Sequence, residues 1–355
     1  MTEPLHYVRQ KGSATRNSLA KAARAGGVTL VLGAGVSIAR GLPSWPQLVH
    51  RLWSDLSPPR PVPEWLRDDK PLPHPLAYQI LMEEIEGASR WEIGQRKNIS
   101  ADDVDPRQVR DLIVEKISRL LYEKMPSENP DDTLGVLIEL LRREQQAPDR
   151  RILRVITFNA DDLLERGANR DTDAGKEPVL FPVPRASLHP RYGECAFGKP
   201  PINVFHLHGF IPFSQRYTRG AEDTLVFTDA EYWESVANPS SFANRVMTNA
   251  LQDSKCIFVG MSMTDVNLMR WLGLMFNEFM ADRRAHYAYA GKSPAYAHKM
   301  ARKALGRHFW ICTRGDDPSR LIASHLERRG VKTVTLSGWG QPFSDLVHSC
   351  FDRDD

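Results

Sequence analysis

The sequence has few cysteines, no long apolar run and no excess of charge of one sign. Its four cysteines, Cys195, Cys256, Cys312 and Cys350, form no C-x-x-C pair, so the usual spacing of a structural zinc site is absent. No stretch reaches the ~18 uninterrupted apolar residues of a membrane span. The N-terminal segment MTEPLHYVRQKGSATRNS also lacks the apolar core of a signal peptide. These absences predict a soluble, cytoplasmic protein.

The charge balance argues against a nucleic-acid-coating protein. There are 47 Lys and Arg residues against 44 Asp and Glu residues, a formal net charge of +3. Apolar residues make up 41% and charged residues 26%, which is ordinary for a globular chain. We therefore expect a folded protein of one large domain or two, without direct sequence-specific binding to nucleic acid.

Short apolar runs alternate with helical patterns along much of the chain. The runs with the length of buried strands are 28–37, 152–158, 202–208, 255–261, 308–313 and 331–336. The helical patterns between them are 161–168, 239–254, 265–282, 295–305 and 318–330. This alternation predicts an α/β fold with a mostly parallel sheet and helices on both faces.

One region interrupts the alternation. Residues 57–75 carry seven prolines and are not expected to form a regular element. Three helix-like segments follow, without a convincing strand among them. We interpret 57–149 as a helical insertion in a discontinuous sheet domain made of residues 1–56 and 150–355.

A glycine-rich turn follows the first predicted strand, in Gly33-Ala34-Gly35-Val36-Ser37. In a Rossmann-like sheet such glycines let backbone N–H groups approach a pyrophosphate at a helix N-terminus. A tight turn without a ligand is the alternative. The third glycine of G-x-G-x-x-G is absent, since position 38 is Ile, and no acidic residue is evident at the end of the second strand. An ordinary dehydrogenase therefore fits poorly.

The run INVFHLHGF contains two histidines, His206 and His208. If the whole run is a strand, alternation places both imidazoles on one face. That arrangement suits either a metal-binding pair or a general base with its neighbour, and the run by itself does not decide between them.

Five blocks together resemble the bacterial sirtuin-like NADase domains of antiphage defence proteins, in content and in order. The blocks are GAGVSIARGLPSWPQLVHRL (33–52), VITFNADDLLE (155–165), FHLHGF (205–210), LVFTDAEYW (225–233) and CIFVGMSMTDVNLMRWL (256–272). The resemblance extends over about residues 28–282. It implies a Rossmann-like fold and an NAD⁺ site at the carboxyl ends of the strands.

The resemblance also implies roles for individual residues. Thr157, Asn159 and Asp161 match the sirtuin pattern T-x-N-x-D, in which the Asn holds the ribose and the reacting water. A helix N-cap is the structural alternative for Asn159. The catalytic base falls on His208, the histidine directly before glycine, and His206 becomes a hydrogen-bonded support.

The remaining positions carried over from the family are nucleotide contacts, at Gly33, Ala34, Gly35, Ser37, Thr157, Asp161, Gly260, Ser262, Asp265 and Asn267. Helix capping is the alternative for Asp265 or Asn267. No metal is expected, because neither Cys195 nor a nearby spacing completes a zinc site with the two histidines.

Two departures from deacylating sirtuins direct the predicted chemistry. The four-cysteine zinc module is missing, and Gly41-Leu42-Pro43-Ser44-Trp45-Pro46 stands where those enzymes have G-[IV]-P-x-F-R. We therefore expect water as the acceptor and an NAD⁺ glycohydrolase that releases nicotinamide and ADP-ribose, with NAD⁺ as substrate.

The resemblance further implies an abortive-infection effector that is activated by assembly or by a partner. A homo-oligomer is expected, with a HerA-type ATPase or another defence-system protein, such as a short Argonaute, as candidate partner. The main alternative is a non-catalytic subunit that senses NAD⁺ or ADP-ribose or acts as a scaffold. A nuclease is a third hypothesis, but no clustered carboxylate motif supports it.

Overall fold

Seven parallel strands form one sheet. The computed structural model describes residues 5–56, 75–124, 129–170, 178–183, 199–213, 225–226, 237–304, 306–313 and 317–353. Its strands are β1 (Val28–Leu32), β2 (Ile152–Thr157), β3 (Leu180–Val183), β4 (Ile202–His206), β5 (Lys255–Val259), β6 (His308–Thr313) and β7 (Val331–Leu336). They lie in the order β3-β4-β2-β1-β5-β6-β7, and all neighbouring pairs are parallel.

The described residues contain twelve α-helices. They are α1 (Leu5–Arg24), α2 (Gly35–Ile38), α3 (Trp45–Ser54), α4 (Pro75–Lys97), α5 (Pro106–Leu121), α6 (Thr133–Gln146), α7 (Leu163–Ala168), α8 (Phe242–Asp253), α9 (Val266–Tyr289), α10 (Pro294–Ala304), α11 (Asp317–Glu327) and α12 (Gln341–Phe351). A short 3₁₀ turn, Ala101–Asp103, lies between α4 and α5.

Helices cover both faces of the sheet, as the alternating pattern predicts. One face carries α1, α6 and α12, whose Leu19, Leu137 and Phe343 share a buried cluster with Leu30 of β1. The other face carries α8, α9 and α11, whose buried side chains include Met247, Trp271 and Leu326. Every residue of β1 is buried, because a central parallel strand is covered on both sides. The α/β fold with a parallel sheet is therefore confirmed.

Six of the seven strands and the five helices that alternate with them lie where the sequence predicts them. The sequence pattern does not predict β3, a four-residue edge strand that contains Pro182, or the terminal helices α1 and α12. Proline is tolerated at a sheet edge but weakens a strand pattern. The proline-rich stretch lies outside the described residues as far as residue 74, and Pro75 begins α4.

The predicted insertion contains helices with different neighbours. Helix α5 packs against α3 and α4, and Lys116 of α5 forms a 2.6 Å ion pair with Glu92 of α4. Helix α6 instead packs against α12 and joins the cluster on the sheet through Leu137. Among the described residues, no helix has both the length and the apolar character needed to cross a membrane.

Candidate functional site

The carboxyl ends of four strands form a continuous row in the order β5, β1, β2, β4. Backbone hydrogen bonds join each end to the next: Gly33 N–H donates to Val259 O, Phe158 N–H to Leu32 O and Leu207 N–H to Thr157 O, each at 3.0 Å. The strand order reverses at β1, because β2 lies on one side of it and β5 on the other. Ligands of open parallel sheets bind outside such a reversal point.

The three glycines at this reversal point allow two turns to pack backbone against backbone. A Cβ on Gly33 would lie 2.6 Å from Gly260 O, and one on Gly35 would lie 2.8 Å from the same atom. Gly260 has a φ of +67°, and a Cβ there would lie 2.7 Å from Val36 N. Gly35 N–H already donates to Gly260 O at 2.9 Å. The glycines are thus required by protein packing, and their contact with a pyrophosphate remains a prediction.

Asn159 is held by its side chain rather than serving as a helix cap. Its Nδ2 donates to Gly33 O at 3.1 Å and to Ser37 Oγ at 3.0 Å, and its backbone N–H donates to Thr157 Oγ1 at 3.0 Å. The N-cap of α7 is Asp162, so capping does not explain Asn159. Its Oδ1 is buried and has no hydrogen-bond partner among the described residues.

A cavity of about 10 Å³ lies beside Asn159. Its polar lining comprises Ser37, Thr157, Asn159, Asp161, Glu165 and His206. This volume is about that of a single water molecule, so the cavity has no room for a sugar ring. Ala34 and Gly35, in the turn after β1, are exposed.

Asp161 is a buried carboxyl whose neighbours only partly compensate for its burial. Its Oδ1 accepts Leu163 N–H at 3.2 Å. Burial raises the pKa of Asp161 to about 6, against the opposing effect of hydrogen bonds from Ser37 and Leu163. The raised pKa means that the ionised carboxylate destabilises the folded state near neutral pH.

This pKa predicts how Asp161→Asn changes stability with pH. A folded-state pKa of about 6 against 3.8 corresponds to a loss of up to about 3 kcal/mol in the unfolding free energy as pH rises from about 4 to about 7. The native protein should lose this amount relative to the Asn variant, as measured by urea unfolding across that range. If the unfolding free energy of the native protein, relative to that of the Asn variant, stays constant or rises with pH, the folded structure stabilises the carboxylate.

His206 is completely buried and hydrogen-bonded through both ring nitrogens. Its Nδ1 donates to Asn159 O at 3.0 Å, and its Nε2 lies 2.6 Å from Glu165 Oε1. Burial alone would lower the pKa of His206, but the Glu165 carboxylate and the hydrogen bonds outweigh burial and raise it. A ring that donates from both nitrogens cannot accept another proton, in keeping with the predicted supporting role.

His208 lies in a different environment from His206. Strand β4 ends at His206, and the chain then turns through Gly209, whose φ is +99°. The half-buried His208 ring contacts Phe158 edge to face at 5.1 Å between centroids. The expectation that strand alternation pairs the two imidazoles is therefore wrong, because the strand does not continue to His208. Among the described residues, no group of three or more His, Cys, Asp or Glu is placed to hold a metal ion.

The loops carrying Asn159 and His208 nevertheless lie side by side. Leu207 N–H donates to Thr157 O at 3.0 Å, and Ile211 N–H donates to Ala160 O at 2.6 Å. Between these two bonds lie Asn159 on one loop and His208 on the other. The tertiary structure therefore brings the two predicted catalytic residues onto adjacent, directly bonded loops.

The turn after β5 carries the last group of predicted nucleotide contacts. Ser262 is exposed, and its hydroxyl lies 2.7 Å from that of Thr264. Asp265 is the N-cap of α9, with Oδ1 accepting Leu268 N–H at 2.7 Å, so capping accounts for this residue. Asn267 is buried in the first turn of α9. Nucleotide contacts at these positions remain predictions.

Three further residues belong to the site and are not predicted from the sequence. Glu165 contacts His206 at the end of β4, and Asp162 and Tyr122 form hydrogen bonds with the loop after β4. The run D-D-L-L-E contains a signal for Glu165, since it lies one helical turn beyond Asp161. No signal in the sequence connects Tyr122 to residues 40 and 89 positions away.

The part of this site that follows β2, β4 and β5 lies in a region that matches a known domain family. Residues 153–326 match the family model described as the SIR2-like domain. The match includes Asn159, His208 and Gly260, whereas the turn after β1 lies outside it. No curated protein matches the chain. A SIR2-like domain supports an NAD-related role in general. Residues 153–326 of this chain therefore form a SIR2-like domain.

Proposed function

We propose that the protein is an NAD⁺ glycohydrolase. The observation that supports this activity best is that the Asn159 and His208 loops are bonded to each other and that Asn159 is hydrogen-bonded to the turn after β1, where the strand order reverses. This is where an open parallel sheet binds a dinucleotide. Ala34 and Gly35 after β1 and Ser262 after β5 are exposed residues on the two turns at this point.

In the proposed reaction the bond between C1′ of the ribose and the nicotinamide nitrogen breaks, and nicotinamide leaves with the electron pair. The oxygen of a water molecule then bonds to C1′, and the water's proton passes to the imidazole of His208. Asn159 positions the attacking water. A positioned general base of this kind contributes typically ~10² to 10⁴ in rate.

His208 suits the role of base better than His206 does. Its ring is half-buried, whereas the ring of His206 is completely buried and bonded through both nitrogens inside the protein. Asn159 suits a positioning role because two hydrogen bonds from Nδ2 fix its side chain on the turn after β1. Holding reactants in place supplies a large share of the barrier reduction in such reactions.

The test is to incubate the purified full chain with NAD⁺ and to follow nicotinamide and ADP-ribose by chromatography. Equimolar appearance of both products supports the proposal. Saturable binding of NAD⁺ without any product, both for the chain alone and after addition of the candidate partner protein, overturns it and favours the sensing or scaffold subunit instead. A parallel incubation with NADP⁺ shows whether a 2′-phosphate is accepted.

We further propose that this activity depletes NAD⁺ in an antiphage response and is switched on by self-assembly or by a partner such as a HerA-type ATPase. If self-assembly is the switch, the specific rate of nicotinamide release should rise with protein concentration, because a bimolecular step creates the active form. Rates measured across a hundredfold dilution series, alongside light scattering, check this. A specific rate independent of concentration, with a monomer throughout, contradicts activation by self-assembly.

A further inference from the structure

Tyr122 connects the predicted insertion to both loops of the site. It directly follows α5, and it is buried. Its hydroxyl lies 2.7 Å from Ile211 O and 3.0 Å from both Asp162 Oδ1 and Asp162 N. The hydroxyl accepts from the Asp162 N–H and has one proton for either the carbonyl or the carboxylate. One side-chain oxygen thus touches the loop after β2 and the loop after β4.

The two contacted residues are close to the proposed catalytic residues in sequence. Asp162 lies three residues after Asn159, and Ile211 lies three residues after His208. Phe213 strengthens the junction, since its N–H donates to Asp162 Oδ2 at 2.9 Å and its ring lies 5.4 Å from that of Tyr122. Loss of the hydroxyl would leave a buried carbonyl and a buried N–H without this partner, while the ring packing would remain.

Helix α5 makes a second contact near the His208 loop. Arg110 Nη2 donates to Leu225 O at 2.7 Å, and the next residue, Val226, donates its N–H to His208 O at 3.1 Å. The same helix forms ion pairs with its helical neighbours. Lys116 lies 2.6 Å from Glu92 of α4, and Arg119 lies 2.5 Å from Asp55, which follows α3. A displacement of these helices would therefore act on both loops.

We infer that Tyr122 is a positioning residue that sets the relative placement of Asn159 and His208, and that α5 transmits the position of its helical neighbours to the site through Tyr122 and Arg110. The catalytic part of this inference rests on the glycohydrolase proposed above. Its structural part, the fixing of the two loops by the hydroxyl, stands independently of any turnover.

The test compares Tyr122→Phe with Tyr289→Phe, which changes a tyrosine that is 98% exposed. Amide hydrogen exchange in residues 158–163 and 207–213 should be faster in Tyr122→Phe on the order of tenfold, the effect of about 1.4 kcal/mol from one buried hydrogen bond. Exchange in β6 and β7 should not change. The kcat for nicotinamide release should fall by a similar factor, with KM unchanged.

A second variant, Arg110→Met, tests the inference even if Tyr122→Phe does not fold. Arg110→Met should speed exchange in the His208 loop, whereas Arg107→Met, an exposed arginine on the same helix, should not. Unchanged exchange in both loops overturns the inference, and so does faster exchange with an unchanged kcat. If the native protein releases no nicotinamide, the glycohydrolase proposal fails, and exchange alone decides whether Tyr122 fixes the loops.

Discussion

His208→Ala should lower the rate of nicotinamide release by ~10² to 10⁴, the usual contribution of a general base. The half-buried ring contacts Phe158 at one edge, so its removal takes away a proton acceptor without opening the centre of the core. His206 cannot replace it, because Asn159 O and Glu165 already occupy its two nitrogens. Initial rates at saturating NAD⁺, measured by chromatography, check this prediction.

The matched control is His298→Ala, which removes an exposed histidine on α10. This variant should keep the native rate, and both variants should show the native circular dichroism spectrum and unfolding midpoint. Asn159→Ala should lose activity as severely as His208→Ala, with Asn277→Ala, an exposed position on α9, as its control. Turnover within threefold of the native rate in both site variants would contradict the assigned roles.

Glu165→Ala should be strongly destabilising. The ion pair of Glu165 with His206 has side chains that are only 4% and 1% exposed, and removal of one partner leaves a buried group uncompensated. Such losses are about 3 to 5 kcal/mol in unfolding free energy. The effect should also displace the Asn159 loop, because His206 donates to Asn159 O.

The pH dependence of this loss has a definite sign. The folded-state pKa of His206 is raised above its ordinary 6.5, so the stabilisation from the charged ring is complete below pH 6.5 and is lost as pH rises through the folded-state pKa. Urea unfolding at pH 6 and at pH 9 should therefore show the larger penalty for Glu165→Ala at pH 6. Glu278→Ala, an exposed site on α9, is the control. A penalty that is below about 1 kcal/mol at pH 6, or that grows with pH, would argue against a charged pair.

Much of the fold can be predicted from the sequence, because central parallel strands are buried on both faces and consist of apolar residues. The stretches Val28–Leu32 and Lys255–Val259 are recognisable for that reason. The short edge strand Leu180–Val183 is not, since it contains a proline and has few residues. The N-terminal helix Leu5–Arg24 carries no acidic residue in its first turn to mark its start.

The candidate site is likewise only partly predictable from the sequence. The positions of Asn159, His208 and the glycine turns follow from residue order and from the resemblance that this order supports. The pairing of His206 with Glu165 does not follow from residue order. Glu165 lies 41 residues away and contacts His206 only because β4 lies beside β2. Alternation also gave a wrong prediction for the two imidazoles, because a residue pattern does not show where a strand ends.

The sequence by itself determined the α/β class, the parallel strands and which residues are candidates for the chemistry, since these depend on local composition and order. Only the tertiary structure decided that the glycines pack one turn on another, that His206 is paired and enclosed, and that Tyr122 joins the two loops. The physical reason is that burial and hydrogen bonding depend on distances between residues far apart in the chain. Strand order and helix packing set those distances, and no single segment of the sequence specifies either of them.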